Sequence, residues 1–227
     1  MKGIIFDFNG TLFWDSKLHY DAWLEYSEKL RGTPFTPQEM REHMFGRTND
    51  YIIEYALGSK PSAGIVLKYA QEKEAVYRKK CLQSPDMFKL APGAEDFLDF
   101  LKDNNIPRAI ATMSDWSNVE FYIKEFNLEK WFDTDKIVYS DGKIPSKPAP
   151  DIFLIAAQKT GLSPKDCIAA EDAVSGINAA KSAGIGLIIA VASMEPVEYY
   201  QNIAGVDRTI RNFNELERDL FEIPASC

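Results

Sequence analysis

The chain has 227 residues, which suits one large domain or a core domain that carries an insertion. Its 45% hydrophobic content is that of an ordinary globular protein and argues against a disordered chain. The net charge of −8 argues against a nucleic-acid partner, because binding phosphates irrespective of sequence requires a basic surface.

Three widely spaced cysteines, Cys81, Cys167 and Cys227, form no CxxC pair. Such a set predicts reduced thiols and no zinc site, as is usual in the cytoplasm. The chain enters an apolar segment almost at once, and no apolar run approaches the roughly 18 residues that span a bilayer. We therefore expect a cytoplasmic protein that binds no membrane, and we take a monomer as its default state.

The first predicted element is a strand, GIIFDF at residues 3–8. Helical patterns alone follow it, at residues 17–31, 37–45, 49–57 and 63–82. An all-helical stretch directly after a first strand predicts an inserted cap over the carboxyl edge of a sheet. Pro92 and Gly93 then mark the return of the chain to the core.

Short apolar runs and helical patterns alternate in the rest of the chain. The strands are predicted at 107–112, 167–171, 186–191 and 207–210, and the helices at 94–104, 117–127, 150–160 and 173–183. Gly161 and Gly184 follow two of these helices where a C-cap is expected. Because the strands are continuously apolar, we predict parallel strands that are covered on both faces. The fold class is therefore α/β: a doubly wound parallel sheet, a Rossmann-like core over 1–15 and 85–227, and a helical cap domain over 16–84.

Polar residues suited to phosphate chemistry fall at the predicted strand ends. Sites in an open parallel sheet form beyond the carboxyl ends of the strands. Asp7 and Thr112 end the first two strands, Lys147 lies in the loop KIPSKPAPD, and Glu171 and Asp172 end a later strand. One such residue often only caps the next helix, whereas the meeting of all of them at one edge predicts a site.

Residue type suggests a role for each of the charged side chains. A carboxylate such as Asp7 can attack phosphorus to form an aspartyl phosphate, which requires a cation between the two anions. Asp7 and Asp172, with Glu171 nearby, offer the hard oxygen ligands that Mg²⁺ prefers. Lys147 supplies a second positive charge. We therefore predict a magnesium-dependent phosphoryl-transfer site.

Hydrogen-bond donors for the phosphate are predicted on two loops. The Thr112 hydroxyl and the following amide, at Met113, can donate to phosphate oxygens. The turn at Gly10 and Thr11 is expected to leave backbone N–H groups free to point at the same oxygens.

Four segments resemble the motifs of the haloacid dehalogenase-like superfamily. They are DFNGT (7–11), ATMS (111–114), SKPAPDIF (146–153) and AEDAVSGINAAKSAG (170–184), in the family's order and spacing. The chain is most similar to the subgroup with a small helical cap, which includes beta-phosphoglucomutases and phosphoglycolate-type phosphatases. The resemblance implies a small phosphorylated metabolite as substrate, bound between cap and core.

The resemblance also implies roles for individual residues. Asp7 matches the nucleophile, Thr112 a phosphate-binding residue and Lys147 the cation that stabilises the charged intermediate. Asp172 matches the acid that holds Mg²⁺, and Asn9 matches the residue that lends its backbone carbonyl to the metal.

Three residues of the insertion are candidates for substrate contact or cap closure. The segment LHYDAW (18–23) is similar to a cap segment of beta-phosphoglucomutases in which the residue matching His19 couples cap closure to proton transfer. Lys73 occupies a similar place in the last cap helix. Arg47, in FGRTN, lies near a glycine where a cap loop could reach substrate.

Asn9 departs from the family pattern, in which an Asp at this position acts as general acid and then as general base. Asparagine can hydrogen-bond but cannot exchange a proton near neutral pH. Loss of one positioned acid–base group costs about 10²–10⁴ in rate, or roughly 3–5 kcal/mol of barrier. We therefore expect binding of Mg²⁺ and phosphate with slow turnover. Because Asn9 precedes Gly10, it is also prone to deamidation, which would create Asp at this position.

Three interpretations of Asn9 stay open. The first is a phosphatase or phosphomutase that is slowed by a natural or introduced Asn. The second is a sugar-phosphate-binding or regulatory protein that keeps the pocket without efficient turnover. The third is cleavage of a carbon–halogen or carbon–phosphorus bond, although Glu171 and Asp172 favour a metal, which dehalogenases lack, and residues 37–57 contain no lysine for a phosphonatase-type imine. The sequence does not distinguish a mutase from a phosphatase or identify the phosphate ester.

Overall fold

The computed structural model describes residues 1–44 and 47–221. The chain forms two compact units, of which one combines residues 1–14 with the chain from residue 89 onward and the other is Asp15–Phe88. The predicted limits of the insertion, residues 16 and 84, lie inside the second unit.

The first unit is built on a parallel sheet. Within the described residues its six strands are β1 (Gly3–Phe6), β2 (Arg108–Ala111), β3 (Ile137–Val138), β4 (Cys167–Glu171), β5 (Leu187–Val191) and β6 (Arg208–Ile210). They lie in the order β3-β2-β1-β4-β5-β6, and every pair is parallel. Ile4, Ile5 and Phe6 are fully buried, as expected of a central strand that is covered on both faces.

Helices flank this sheet between the strands. They are α5 (Ala94–Asp103), α6 (Trp116–Glu125), α7 (Asp151–Thr160), α8 (Val174–Ser182) and α9 (Val197–Gln201). Gly161 ends α7 in the left-handed conformation, as predicted, and Gly184 adopts a positive φ one residue beyond the C-cap of α8. The predicted doubly wound α/β fold with a helical insertion is confirmed.

One strand and one α-helix of the first unit were not predicted. The edge strand β3 has only two residues, which is too short to give a periodic signal, and α9 has five. The predicted helix over 117–127 ends earlier, at Glu125, and Asn127 adopts a left-handed φ of 50°.

The second unit is helical throughout its described elements. It contains α1 (Ser16–Arg31), α2 (Pro37–His43), α3 (Asn49–Leu57) and α4 (Ala63–Gln83). Its own core gathers Trp23, Tyr26, Phe35 and Met40 with apolar residues of α3 and α4. Residue 45, where α2 was predicted to end, lies outside the described residues.

The two described cysteines, Cys81 and Cys167, are free and buried, and burial raises the pKa of Cys81 to about 12 and that of Cys167 to about 11. They are therefore inert thiols at neutral pH. Cys227 lies outside the described residues. In the part of the chain that the structure describes, no helix has both the length and the apolar character to cross a membrane.

Candidate active site

The strand register brings three carboxylates together at the centre of the sheet. Phe6 of β1 lies opposite Ala170 of β4, and the Asp7 N–H donates to the Ala170 carbonyl at 2.9 Å. Asp7 therefore leaves β1 beside Glu171 and Asp172, where the strand order reverses and a crevice is expected. One carboxylate oxygen from each of the three residues lies within 4.8 Å of the others.

Lys147 bridges two of these carboxylates. Its Nζ lies 2.6 Å from Asp7 Oδ1 and 2.6 Å from Glu171 Oε1, and it also donates to the Ala111 carbonyl at 3.1 Å. Burial alone would lower the pKa of Lys147, but attraction to Asp7 and Glu171 outweighs it and raises the pKa above its ordinary value. The ammonium is therefore a fixed charge at neutral pH.

The charged form of Asp172 is disfavoured in these surroundings. Burial, together with repulsion by Glu171 and Asp7, raises its pKa well above the usual range, although Lys147 and the Thr11 hydroxyl oppose the shift. Three carboxylates face one ammonium here, so the donor set is chemically suited to a cation.

Two glycines make room for these acids. A Cβ atom on Gly10 would lie 2.1 Å from Asp172 Oδ2, and one on Gly176 would lie 1.7 Å from Glu171 Oε1. Gly10 also has a φ of +82°, which side chains rarely adopt. The site therefore needs glycine at both positions.

The prediction that the backbone amides of Gly10 and Thr11 are free to bind phosphate is wrong. The Gly10 N–H donates to the Phe13 carbonyl at 2.7 Å and the Thr11 N–H donates to the Phe8 carbonyl at 3.3 Å. The chain reverses tightly here, so these groups close the turn on itself. Thr11 instead turns its hydroxyl to Asp172 Oδ1, at 3.1 Å.

Thr112 and Met113 follow β2 at the same edge. The Thr112 amide is used by the sheet, because it donates to the Val138 carbonyl at 2.9 Å. The Thr112 hydroxyl lies 3.3 Å from Asn9 Oδ1 and accepts from the Ser114 amide at 3.1 Å. Met113 is partly buried against the core.

Asn9 is hydrogen-bonded at both ends of its amide. Its Oδ1 accepts from the Ser114 hydroxyl at 2.7 Å, in addition to the Thr112 hydroxyl, and its Nδ2 donates to the Tyr122 hydroxyl at 2.9 Å. Sequence reasoning missed Ser114 and Tyr122 as partners of Asn9. Ser114 falls within the ATMS motif and could have been found there, whereas Tyr122 lies inside α6 and gives no sequence signal.

The three candidates in the helical unit fall in different surroundings. His19 and Lys73 meet, with Lys73 Nζ 2.9 Å from His19 Nδ1, and Lys73 is only 1% exposed and also donates to Glu74. The other ring nitrogen of His19 lies 3.2 Å from Asp15 Oδ2. Arg47 is exposed and stacks its guanidinium over the ring of Tyr51 at 4.9 Å.

Comparisons with known proteins find similar sequences. A family model described as haloacid dehalogenase-like hydrolase matches residues 1–184. A phosphorylated carbohydrates phosphatase of Thermotoga maritima is 30% identical over 194 residues, covering 84% of this chain and 85% of that protein. The beta-phosphoglucomutase of Bacillus subtilis is 31% identical over 227 residues, covering 97% and 93%.

A solved structure shows the same similarity in three dimensions. The HAD hydrolase, family IA, variant 3 from Entamoeba histolytica has a TM-score of 0.92 and 43% identity, and the alignment covers 97% of each chain.

The geometry of Asn9 predicts slow deamidation in the folded protein. Deamidation requires the Gly10 nitrogen to attack the Asn9 side-chain carbonyl carbon, with loss of ammonia, before water opens the succinimide to Asp or isoaspartate. The Gly10 N–H is held by Phe13 and the Asn9 amide by three hydroxyls, so this approach is opposed. We expect peptide mass spectrometry to find Asp or isoaspartate at residue 9 much more slowly in native protein than in urea-unfolded protein. Equal rates would show that the turn does not restrain Asn9.

Proposed function

The chain belongs to the haloacid dehalogenase-like hydrolase family, and on that premise we propose that it is a Mg²⁺-dependent phosphoryl-transfer enzyme that acts on a small sugar phosphate. The observation that carries the proposal is the placement of Lys147 Nζ 2.6 Å from both Asp7 and Glu171, beside Asp172. A nucleophilic carboxylate, a fixed ammonium and a cluster of hard oxygen ligands are what transfer to an aspartate requires.

In the proposed mechanism, Asp7 is the nucleophile. A bond forms between an Asp7 carboxylate oxygen and phosphorus while the bond from phosphorus to the leaving oxygen breaks. Because Asn9 has no acid proton to give, the leaving oxygen takes its proton from water, and the products are an aspartyl phosphate and an alcohol. Lys147 holds Asp7 in place and offsets the charge that builds up, and the Thr112 hydroxyl can donate to a phosphate oxygen. A water molecule or a sugar hydroxyl then bonds to phosphorus and loses its proton to solvent, while the bond from phosphorus to the Asp7 oxygen breaks and restores the carboxylate.

The acidic residues of the site fit Mg²⁺. Asp7 and Asp172 would hold the ion, with the Asn9 backbone carbonyl as a further ligand and Glu171 as a neighbour that Lys147 and the Ala173 amide already engage. The bound ion would screen the attacking carboxylate from the phosphate oxygens. The fit rests on the three carboxylate oxygens of Asp7, Glu171 and Asp172, which lie within 4.8 Å of one another. Burial and the neighbouring carboxylates raise the pKa of Asp172, and a divalent cation would oppose that shift.

The substrate class follows from the similar proteins. One acts on phosphorylated carbohydrates and the other is a beta-phosphoglucomutase, so we propose a phosphorylated sugar for this chain. A phosphatase and a mutase share the chemistry up to the aspartyl phosphate and differ in the acceptor. We favour a mutase-like acceptor because His19 and Lys73 resemble that subgroup jointly.

A second candidate function is a phosphate-binding or regulatory protein without efficient turnover. The observation that favours it is Asn9, whose amide is hydrogen-bonded at both ends and offers no exchangeable acid proton. This candidate keeps Mg²⁺ and phosphate binding and differs from the first only in the rate at which phosphate is released.

A substrate panel tests the proposed reaction. We expect Mg²⁺-dependent turnover of one or more phosphorylated sugars, and Asp7→Asn should abolish it because an amide cannot act as the nucleophile. Incubation of beta-glucose 1-phosphate with a trace of bisphosphate should separate the two acceptors, since glucose 6-phosphate marks a mutase and free phosphate marks a hydrolase. Equal rates for the parent protein and the Asp7→Asn variant would refute the role of Asp7.

Mg²⁺ binding can be measured without turnover. Mg²⁺ at about one hundred times its Kd should raise Tm on the order of 5–10 °C, because the ion binds the folded state alone. Asp172→Asn should remove most of this shift, whereas the matched change of an exposed acid, Asp135→Asn, should preserve it. If the Asp172→Asn protein responds to Mg²⁺ as the parent does, the metal does not bind at Asp172.

The change Asn9→Asp tests whether residue 9 limits turnover. It should raise turnover by about 10²–10⁴, because it restores a positioned acid–base group. Mg²⁺ affinity should change little, since residue 9 is proposed to use its backbone carbonyl. The double change Asp7→Asn with Asn9→Asp is the control and should stay inactive. An Asn9→Asp protein that is no faster on any substrate would favour the binding function.

A further inference from the structure

Tyr122 contacts residue 9 from the middle of α6. Its hydroxyl accepts from Asn9 Nδ2 at 2.9 Å, and its side chain is buried, with 2% exposure. Nothing in the mechanism above uses this tyrosine, although it is in direct contact with the residue that departs from the family pattern.

The tyrosine ring is fixed by the residue next to Asn9. It stacks on the ring of Phe8 with centroids 4.6 Å apart and an interplanar angle of 27°, and it meets Phe13 edge-on at 6.1 Å. Phe8 and Phe13 flank the turn that contains Asn9. The ring and the turn therefore form one packed unit, and the hydroxyl can shift little relative to Asn9.

The opposite end of the Asn9 amide is fixed by the loop after β2. Ser114 donates to Asn9 Oδ1 at 2.7 Å, and Thr112 donates to the same oxygen at 3.3 Å. The Thr112 hydroxyl is itself set by the Ser114 amide, at 3.1 Å. Residue 9 is thus held between two elements, with Tyr122 on one side and the β2 loop on the other.

Tyr122, Ser114 and Thr112 all contact residue 9 through hydroxyls. A hydroxyl can donate or accept, so Tyr122 can accept from an asparagine and donate to an aspartate without moving. The surroundings are therefore compatible with either asparagine or aspartate at residue 9. With aspartate, the Tyr122 hydroxyl would change from hydrogen-bond acceptor to donor.

We propose that Tyr122 is a positioning residue for residue 9, which fixes the direction of that side chain whether it is Asn or Asp. The kinetic part of this inference rests on the proposed function. The positional part does not, because it concerns the contact between Tyr122 and Asn9 in the protein as it stands.

The first test uses deamidation of Asn9 as a report on how firmly its amide is held. Tyr122→Phe keeps the ring stack and removes only the hydroxyl, so deamidation of the folded protein should become about threefold to tenfold faster by peptide mass spectrometry, as the loss of one hydrogen bond predicts. Ser114→Ala should act in the same direction. Tyr26→Phe is the matched control, because it removes a buried tyrosine hydroxyl that bonds Glu72, and it should leave the rate unchanged. Deamidation of folded Tyr122→Phe and Ser114→Ala at the parent rate would overturn the proposal.

The second test measures whether the effect of Tyr122 on kcat depends on residue 9. In the Asn9→Asp background, Tyr122→Phe should lower kcat about tenfold with KM unchanged, whereas in an Asn9→Ala background it should leave kcat unchanged. An equal loss of kcat in both backgrounds would overturn the proposal, since Tyr122 would then act without residue 9. If no background turns over any substrate, the proposed function fails, and the deamidation rates still decide the role of Tyr122.

Discussion

The paired contacts of Lys147 with Asp7 and Glu171 hold the candidate site together. The β1–β4 register places Asp7, Glu171 and Asp172 next to one another at the edge of the sheet. Their carboxylate charges repel each other there. Without a cation between them, acids at a buried sheet edge would have to take up protons. Lys147 supplies one such cation from the loop between β3 and α7, and the short edge strand β3, which pairs with β2, anchors the start of that loop.

The site depends on two glycines for space, just as it depends on Lys147 for positive charge. Gly10 and Gly176 face the oxygens of Asp172 and Glu171, and a methyl group at either position would overlap a carboxylate. The two glycines come from the turn after β1 and from α8, which are distant in sequence. The acids can therefore approach one another only because both elements lack a side chain at the point of contact.

The sequence predicted those features that depend on local pattern. Continuous apolar runs identified five strands, and the residues at their carboxyl ends, Asp7, Thr112, Glu171 and Asp172, lie at one edge because parallel strands all end there. Features that depend on tertiary contacts could not be predicted from the sequence. The β3 strand is too short to be periodic, Tyr122 reaches Asn9 from inside a helix, and the Gly10 amide turns to Phe13 because of how tightly the chain reverses.

At residue 9, the proposed acid–base role and the electrostatics of the site would favour different side chains. An aspartate here would add a further carboxylate to a site where repulsion already raises the pKa of Asp172, and its charge would be disfavoured in the absence of a cation. Asparagine has nearly the same shape, keeps the three hydroxyl partners and avoids that charge, but it cannot transfer a proton. Under the proposed function, asparagine would therefore avoid added repulsion at the expense of acid–base chemistry. The Thr112, Ser114 and Tyr122 hydroxyls fit either residue, so these contacts do not distinguish asparagine from aspartate.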